Sequence, residues 1–168
     1  MIIVWILVAV ALCFAAVVLV GPPYLPTLKP QVRAALDLLD LKPGETMIEL
    51  GCGDGVMLVA AAERGWKVVG IELNPLLVLF CKLRTWRYRK QVTVRWGNYW
   101  NLALWPPAEG IFGFVLPRLM GKLDRSIIEW REEQAGKLKA SVKLASFAFE
   151  IPDKKPKKTS KGVFLYIY

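Results

Sequence analysis

Residues 46–55 read TMIELGCGDG, and residues 67–75 read KVVGIELNP. Thr46–Leu50 is short and mostly apolar, with turn residues on both sides, which predicts a buried strand. Gly51, Gly53 and Gly55 then fall within five residues and predict a tight turn. Val56–Arg64 (VMLVAAAER) is rich in helix formers and stops at Gly65, so a helix follows. Lys67–Leu73 reads as a second strand. A strand, a glycine turn and a helix start together make a nucleotide-binding geometry, with the helix N-terminus facing the ligand.

The spacing narrows the ligand. Dinucleotide folds use GxGxxG, whereas this turn is GxGxG with Val56 in the place of the third glycine. A phosphate loop would end in Gly-Lys-Ser/Thr, which is absent. Glu49 stands two residues before the first glycine. A diphosphate would not favour a carboxylate there; a ligand carrying an ammonium and a sulfonium would. Glu72, at the end of the second strand, can accept both hydroxyls of a ribose. Read alone, Gly53 and Gly55 suit any tight turn and Asp54 suits a helix cap. In combination, ELGCGDG and IELNP resemble the pattern of class I S-adenosylmethionine-dependent methyltransferases.

Working outward, Gln31–Leu41 has Val32, Leu36 and Leu39 at helical spacing, with Pro30 suited to the first turn. Lys42–Glu45 is a turn. Pro75 opens a helix reaching about Arg89. Val92–Trp96 is a third strand and Ile111–Leu116 a fourth. A helix over Arg118–Gln134 precedes strands at Val142–Phe149 and Val163–Tyr168, with Asp153–Lys161 a basic loop between those two. Strands alternating with helices at this spacing imply right-handed crossovers. The expected fold is α/β and Rossmann-like, a mostly parallel sheet with helices on both faces. After the third strand, the Asn98 amide oxygen can accept a hydrogen bond from an adenine amino group, and Tyr99 or Trp100 can enclose the ring. Asn98 suits a plain turn equally well.

Met1–Val20 carries no charge, Pro or Gly. Twenty helical residues reach about 30 Å, the thickness of a bilayer's hydrocarbon core. No basic residue precedes the run and no small-x-small site follows it, so it reads as a retained transmembrane anchor rather than a signal peptide. Residues 21–30, GPPYLPTLKP, form a stiff proline-rich segment, and 31–168 form the folded domain. Every charged residue lies after the apolar run, and the net charge is +9. The positive-inside rule then puts the domain on the cytoplasmic or a matrix-like side.

The composition also excludes chemistry. The chain has no histidine, which removes Ser-His and Cys-His catalysis and the usual metal ligands. Its three cysteines are scattered, and no CxxC suggests zinc or a disulfide framework. No metal is expected.

Several longer stretches carry a closer likeness: PYLPT at 23–27, IELGCGDG at 48–55, GIELNPLLV at 70–78, RTWR at 84–87, NYW at 98–100 and VLPRLM at 115–120. In these the chain resembles the small membrane-anchored protein-lysine methyltransferases whose mitochondrial members modify the ATP synthase c subunit and the adenine nucleotide translocase. The resemblance implies S-adenosylmethionine as cofactor and a membrane or membrane-proximal protein with an accessible lysine as substrate. It implies a cofactor set of Tyr24, Glu49, Gly51, Cys52, Gly53, Gly55, Glu72, Leu73, Asn98 and Tyr99. It also places Thr27 and the Leu116 or Pro117 carbonyl beside the transferred methyl group, as positioning groups with no general base. Where the family usually has Asp, this chain has Asn98.

Lys82–Arg95 contains six basic residues and no acidic one, with Trp86 and Tyr88 interleaved. On a tethered domain such a stretch suits anionic headgroups. Leu116-Pro117-Arg118-Leu119 lacks the Asn/Asp-Pro-Pro-aromatic motif of base methylation, which argues against a nucleic-acid substrate. A lipid or small-molecule methyltransferase, and a non-catalytic cofactor-binding protein, remain as alternatives.

Overall fold

The computed structural model describes residues 1–5, 8, 27–136 and 141–168. Among the described residues, four helices follow the N-terminal segment: α1 (Lys29–Leu39), α2 (Val56–Glu63), α3 (Pro75–Arg84) and α4 (Met120–Glu133). Seven strands form one sheet: β1 (Thr46–Leu50), β2 (Lys67–Glu72), β3 (Val92–Trp96), β4 (Gly110–Gly113), β5 (Lys143–Phe147), β6 (Lys158–Ser160) and β7 (Val163–Ile167). Their order is β3-β2-β1-β4-β5-β7-β6. The first five pair in parallel, and β7 runs antiparallel between β5 and β6. This is the α/β, mostly parallel arrangement expected.

Alternation along the central strands sorts the core into two layers. Met47, Phe112 and Ala145 pack with Leu36, Leu39, Leu58 and Cys81 of α1, α2 and α3. Ile48, Ile111 and Leu144 pack with Leu123, Ile127 and Trp130 of α4. Helices therefore cover both faces. Because β1, β2 and β4 are parallel, their carboxyl ends open on one edge of the sheet. Glu49 shares the face of Met47, so it points to the α2 and α3 side.

Several expected boundaries move. The fourth strand stops at Gly113 rather than Leu116, because Leu116 turns into a 3-10 segment opened by Pro117. The fifth spans Lys143–Phe147 rather than Val142–Phe149; Ala148 takes a φ of 67° and donates its N–H to Gly162 O. The helix from Pro75 ends at Arg84, where the Thr85 hydroxyl bonds Cys81 O, and a 3-10 turn at Trp86–Tyr88 follows. The basic loop contains strand β6, which sequence periodicity does not reveal in three residues.

Among the described residues, no helix is long and apolar enough to cross a membrane. The anchor expected over 1–20 falls largely outside the described residues, as does Tyr24.

Candidate functional site

The glycine turn forms where β1 ends. Gly51 N and Cys52 N both donate to Ile71 O, at 2.9 and 3.1 Å, so β2 holds the turn against its own end. Gly51 has a φ of 77°, and a side chain there would point into open space, with no atom within 4 Å. Glycine is thus required by the backbone, and the room beside it stays clear for a ligand. Gly55 is constrained from behind: its φ is 80°, and a Cβ would lie 2.6 Å from Cys81 Sγ. The Cys52 and Cys81 sulfurs sit 3.8 Å apart in the core under the turn. The hydrogen bond to Cys81, together with burial, pushes the Cys52 thiol up and keeps it protonated.

Glu72 is buried, and its carboxylate joins three segments. Oε2 accepts the Gly53 N–H at 2.9 Å, and Oε1 accepts the Asn74 N–H at 2.8 Å. A carboxylate offers about four lone-pair sites, so two remain for further donors such as hydroxyls. Asn74 in turn caps α3, its Oδ1 accepting from Leu76 N and Leu77 N. Pro75 sits in the first turn, where its missing N–H costs nothing. Next to it, the Leu73 carbonyl accepts the Trp96 indole N–H at 3.0 Å.

Glu49 is the unusual group. It is buried in the central strand, and its Oε2 has no hydrogen-bond partner. Burial first, then Cys81, Asp54 and Glu72, hold its carboxyl well above the usual carboxylate range. An orphaned carboxylate oxygen facing two other acids is suited to a cation. Asp54 is partly neutralised by an ion pair with Arg84, which ties the turn to the end of α3. Asp54 is not the α2 cap: Gly55 takes that position, and Asp54 Oδ1 reaches only Val56 N, at 3.4 Å.

On the far side, Tyr99 is half-buried and tilts against Trp100 with centroids 4.9 Å apart. Burial, and after it Glu72, push its phenol up to about 12, so it is neutral at physiological pH. Asn98 is exposed, and its Oδ1 accepts the Trp100 N–H at 3.0 Å, forming a local turn. Pro117 is exposed at the end of the β4 edge; its carbonyl accepts the Met120 N–H, and the Leu116 carbonyl accepts the Leu119 N–H. Thr27 is half-buried just before α1. Among the described residues, no hydrogen bond joins Thr27 or Pro117 to the Glu49–Glu72 cluster. Glu49, Gly51, Cys52, Gly53, Gly55, Glu72, Leu73 and Tyr99 gather around one strand edge, with Asn98 at its rim. Cys81, Arg84 and Trp96 support them and escape a motif search; the only hint is that Cys81 follows Asn74 by two helical turns.

The unpartnered Glu49 oxygen and the open space beside Gly51 fit the cationic end of S-adenosylmethionine, and the free lone pairs of Glu72 fit its ribose. Among the described residues, no group of acids and cysteines could hold a metal ion.

Residues 49–158 match the family model described as ANTKMT methyltransferase domain. The lysine N-methyltransferase of the ATP synthase c subunit from Xenopus laevis is 32% identical over 107 residues, 62% of this chain and 46% of that protein. Its human counterpart is 28% identical over 115 residues, 67% and 48% of the two chains. The adenine nucleotide translocase lysine N-methyltransferase of Mus musculus is 28% identical over 137 residues, 80% and 56%. The chain thus spans about half the length of the curated relatives it matches. An RNA methyltransferase from Salinibacter ruber, solved with S-adenosyl-L-homocysteine, shares the fold. Its TM-score is 0.67 at 25% identity, over 85% of this chain and 93% of that one. A Geobacter sulfurreducens S-adenosylmethionine-dependent methyltransferase superposes with a TM-score of 0.57 at 19% identity, over 77% and 53%.

Proposed function

The chain belongs to the ANTKMT methyltransferase domain family, and from that premise we propose that it is a protein-lysine N-methyltransferase using S-adenosylmethionine. The observation that carries the proposal is the buried, unpartnered Glu49 oxygen beside the open glycine turn. S-adenosylmethionine supplies a methyl group already activated on a sulfonium. Glu49 would face its cationic end, Glu72 the ribose, and Tyr99 with Asn98 the adenine. Tyr24 and Thr27 would close the cleft from the N-terminal side.

A substrate lysine must arrive neutral, although its amine titrates at about 10.4 in water. Burial among apolar groups lowers that value. Leu116 and Pro117 supply such surroundings at the end of β4, and their carbonyls each keep one lone pair to orient the amine. In-line positioning and exclusion of water then suffice, without histidine or an assigned base.

The substrate is a membrane or membrane-proximal protein in this reading, as in the names of the lysine methyltransferases it resembles. Residues 1–20 act as a single-pass anchor, 21–30 as the segment joining it to the site, and 31–168 as the transferase domain. The domain lies on the cytoplasmic or matrix-like side, supported by the position of every charged residue after the apolar run.

The test is to incubate membranes with methyl-labelled S-adenosylmethionine and extract with organic solvent. Label is expected in a protein band and should vanish on Lys→Arg replacement of the acceptor. Label in the lipid phase would make the substrate a lipid, and failure of the cofactor to bind would remove the enzyme reading.

A further inference from the structure

Helix α3 is apolar on two opposite sides. Val78 and Cys81 face the core, and Thr85 continues that line at the helix end. Leu76, Leu79, Phe80 and Leu83 recur at the same spacing on the other side, about 180° around a helix that advances about 100° per residue. Trp86 extends the ridge into the following 3-10 turn. The outer residues are 37% exposed at Leu76, 58% at Leu79, 54% at Phe80, 66% at Leu83 and 64% at Trp86. A helix apolar all round normally belongs in a core or in lipid. Here one side is open.

The ridge has a cationic collar. Lys82 and Arg84 flank it on α3, and Arg87, Arg89 and Lys90 follow, with no acid between 82 and 95. Arg84 stacks on Phe80 at 5.5 Å and Arg89 on Trp86 at 5.1 Å, so cations and ridge form one surface. Lys82, Arg87 and Lys90 form no ion pair among the described residues. A nucleic-acid backbone would use the charges but leave Leu79, Phe80 and Leu83 in water. An anionic bilayer uses both: apolar side chains enter the acyl boundary while cations meet phosphates.

We propose that the outer face of α3 and the Trp86–Tyr88 turn seat in the headgroup region of an anionic membrane, as a contact separate from residues 1–20. This rests on the membrane reading above only in supposing a bilayer nearby. Because α3 starts two residues after Glu72, seating this face fixes the height of the cleft over the lipid surface. A substrate lysine just outside the bilayer then meets the site without further search.

The experiment places an environment-sensitive fluorophore on Leu83→Cys in the full chain carrying Cys13→Ser; Cys52 and Cys81 are buried and stay unlabelled. A second chain carries the label at Leu79→Cys, and a control carries it at exposed Glu132→Cys on α4, across the sheet. Each is mixed with brominated phosphatidylcholine vesicles containing or lacking phosphatidylglycerol. The expected result is quenching at positions 79 and 83 several-fold stronger than at 132, dependent on the anionic lipid, and lost in Arg87→Glu/Lys90→Glu. Equal quenching at all three positions, or quenching indifferent to phosphatidylglycerol, would overturn the proposal. A blue shift with an RNA oligonucleotide but not with vesicles would overturn it in favour of nucleic acid. Cofactor binding measured on the same samples keeps failure of the lipid contact distinct from failure of the enzyme reading.

Discussion

The carboxyl ends of β1 and β2 and the end of β4 open on the same sheet edge, yet their chemistry is opposite. At the first, Glu49, Asp54 and Glu72 converge within electrostatic reach, and backbone N–H groups fix Glu72 in place. At the second, Val115, Leu116, Pro117 and Met120 present no ionisable group, and Arg118 is the first charge. The difference matches two tasks. One end must hold a cation that stays bound through the reaction. The other must receive an amine that reacts only when uncharged, and a carboxylate there would stabilise its protonated form.

Breaking the acidic end should have the largest effect. Glu72→Ala leaves the Gly53 and Asn74 N–H groups without their acceptor, at about 1–3 kcal/mol each, and removes the ribose partner. Cofactor affinity should fall by roughly 100-fold or more. Calorimetry measures the affinity and a thermal melt the lost stability. Binding within a factor of three of wild type would refute the assignment of Glu72.

Gly55→Ala comes next. A left-handed φ costs an L-residue about 1–2 kcal/mol, and the new Cβ also meets Cys81 Sγ. A lower Tm is expected, with partial recovery in Gly55→Ala/Cys81→Ala, since the second change relieves the contact but not the backbone. Full recovery would mean that the backbone conformation contributes nothing.

Smaller effects sharpen the rim. Asn98→Asp should tighten cofactor binding by about fivefold, because a charged acceptor makes the stronger hydrogen bond. Unchanged affinity would return Asn98 to the role of a turn residue holding Trp100 N–H. Thr27→Ala should lower turnover by about threefold, the loss of one modest hydrogen bond. Unchanged turnover and cofactor affinity would return residues 21–30 to the role of a linker.

Local pattern carried much of this. Strands β1 and β3 fall at the expected residues because each is a short apolar-rich run between turns. Glu49, Glu72 and the three turn glycines were readable because their functions depend on neighbours close in sequence. What escaped depends on distant contacts. The Cys81 sulfur under Gly55, the Arg84–Asp54 pair and the Trp96 bond to Leu73 O exist only once α3 and β3 have packed beside the turn. Strand β6 escaped for a different reason: it is an edge strand rich in polar residues, held by pairing with β7 rather than by burial.

The central claim is that Glu49 is kept unpaired to meet a cation, and pH tests it directly. Its carboxyl titrates above the usual range, so in the ligand-free fold its stabilising contribution is complete below the ordinary glutamate value. That contribution is lost as pH rises through the raised one. A bound cation favours the ionised form. Binding should therefore release a proton below the raised value, with affinity climbing by up to about tenfold per pH unit and levelling off above it. Titration of S-adenosylmethionine into wild type and Glu49→Gln across pH, in buffers of different ionisation enthalpy, counts that proton. The prediction is a released proton and a pH-dependent affinity in wild type, both absent in Glu49→Gln. A pH-independent affinity in wild type, or the same pH dependence in both proteins, would contradict the account.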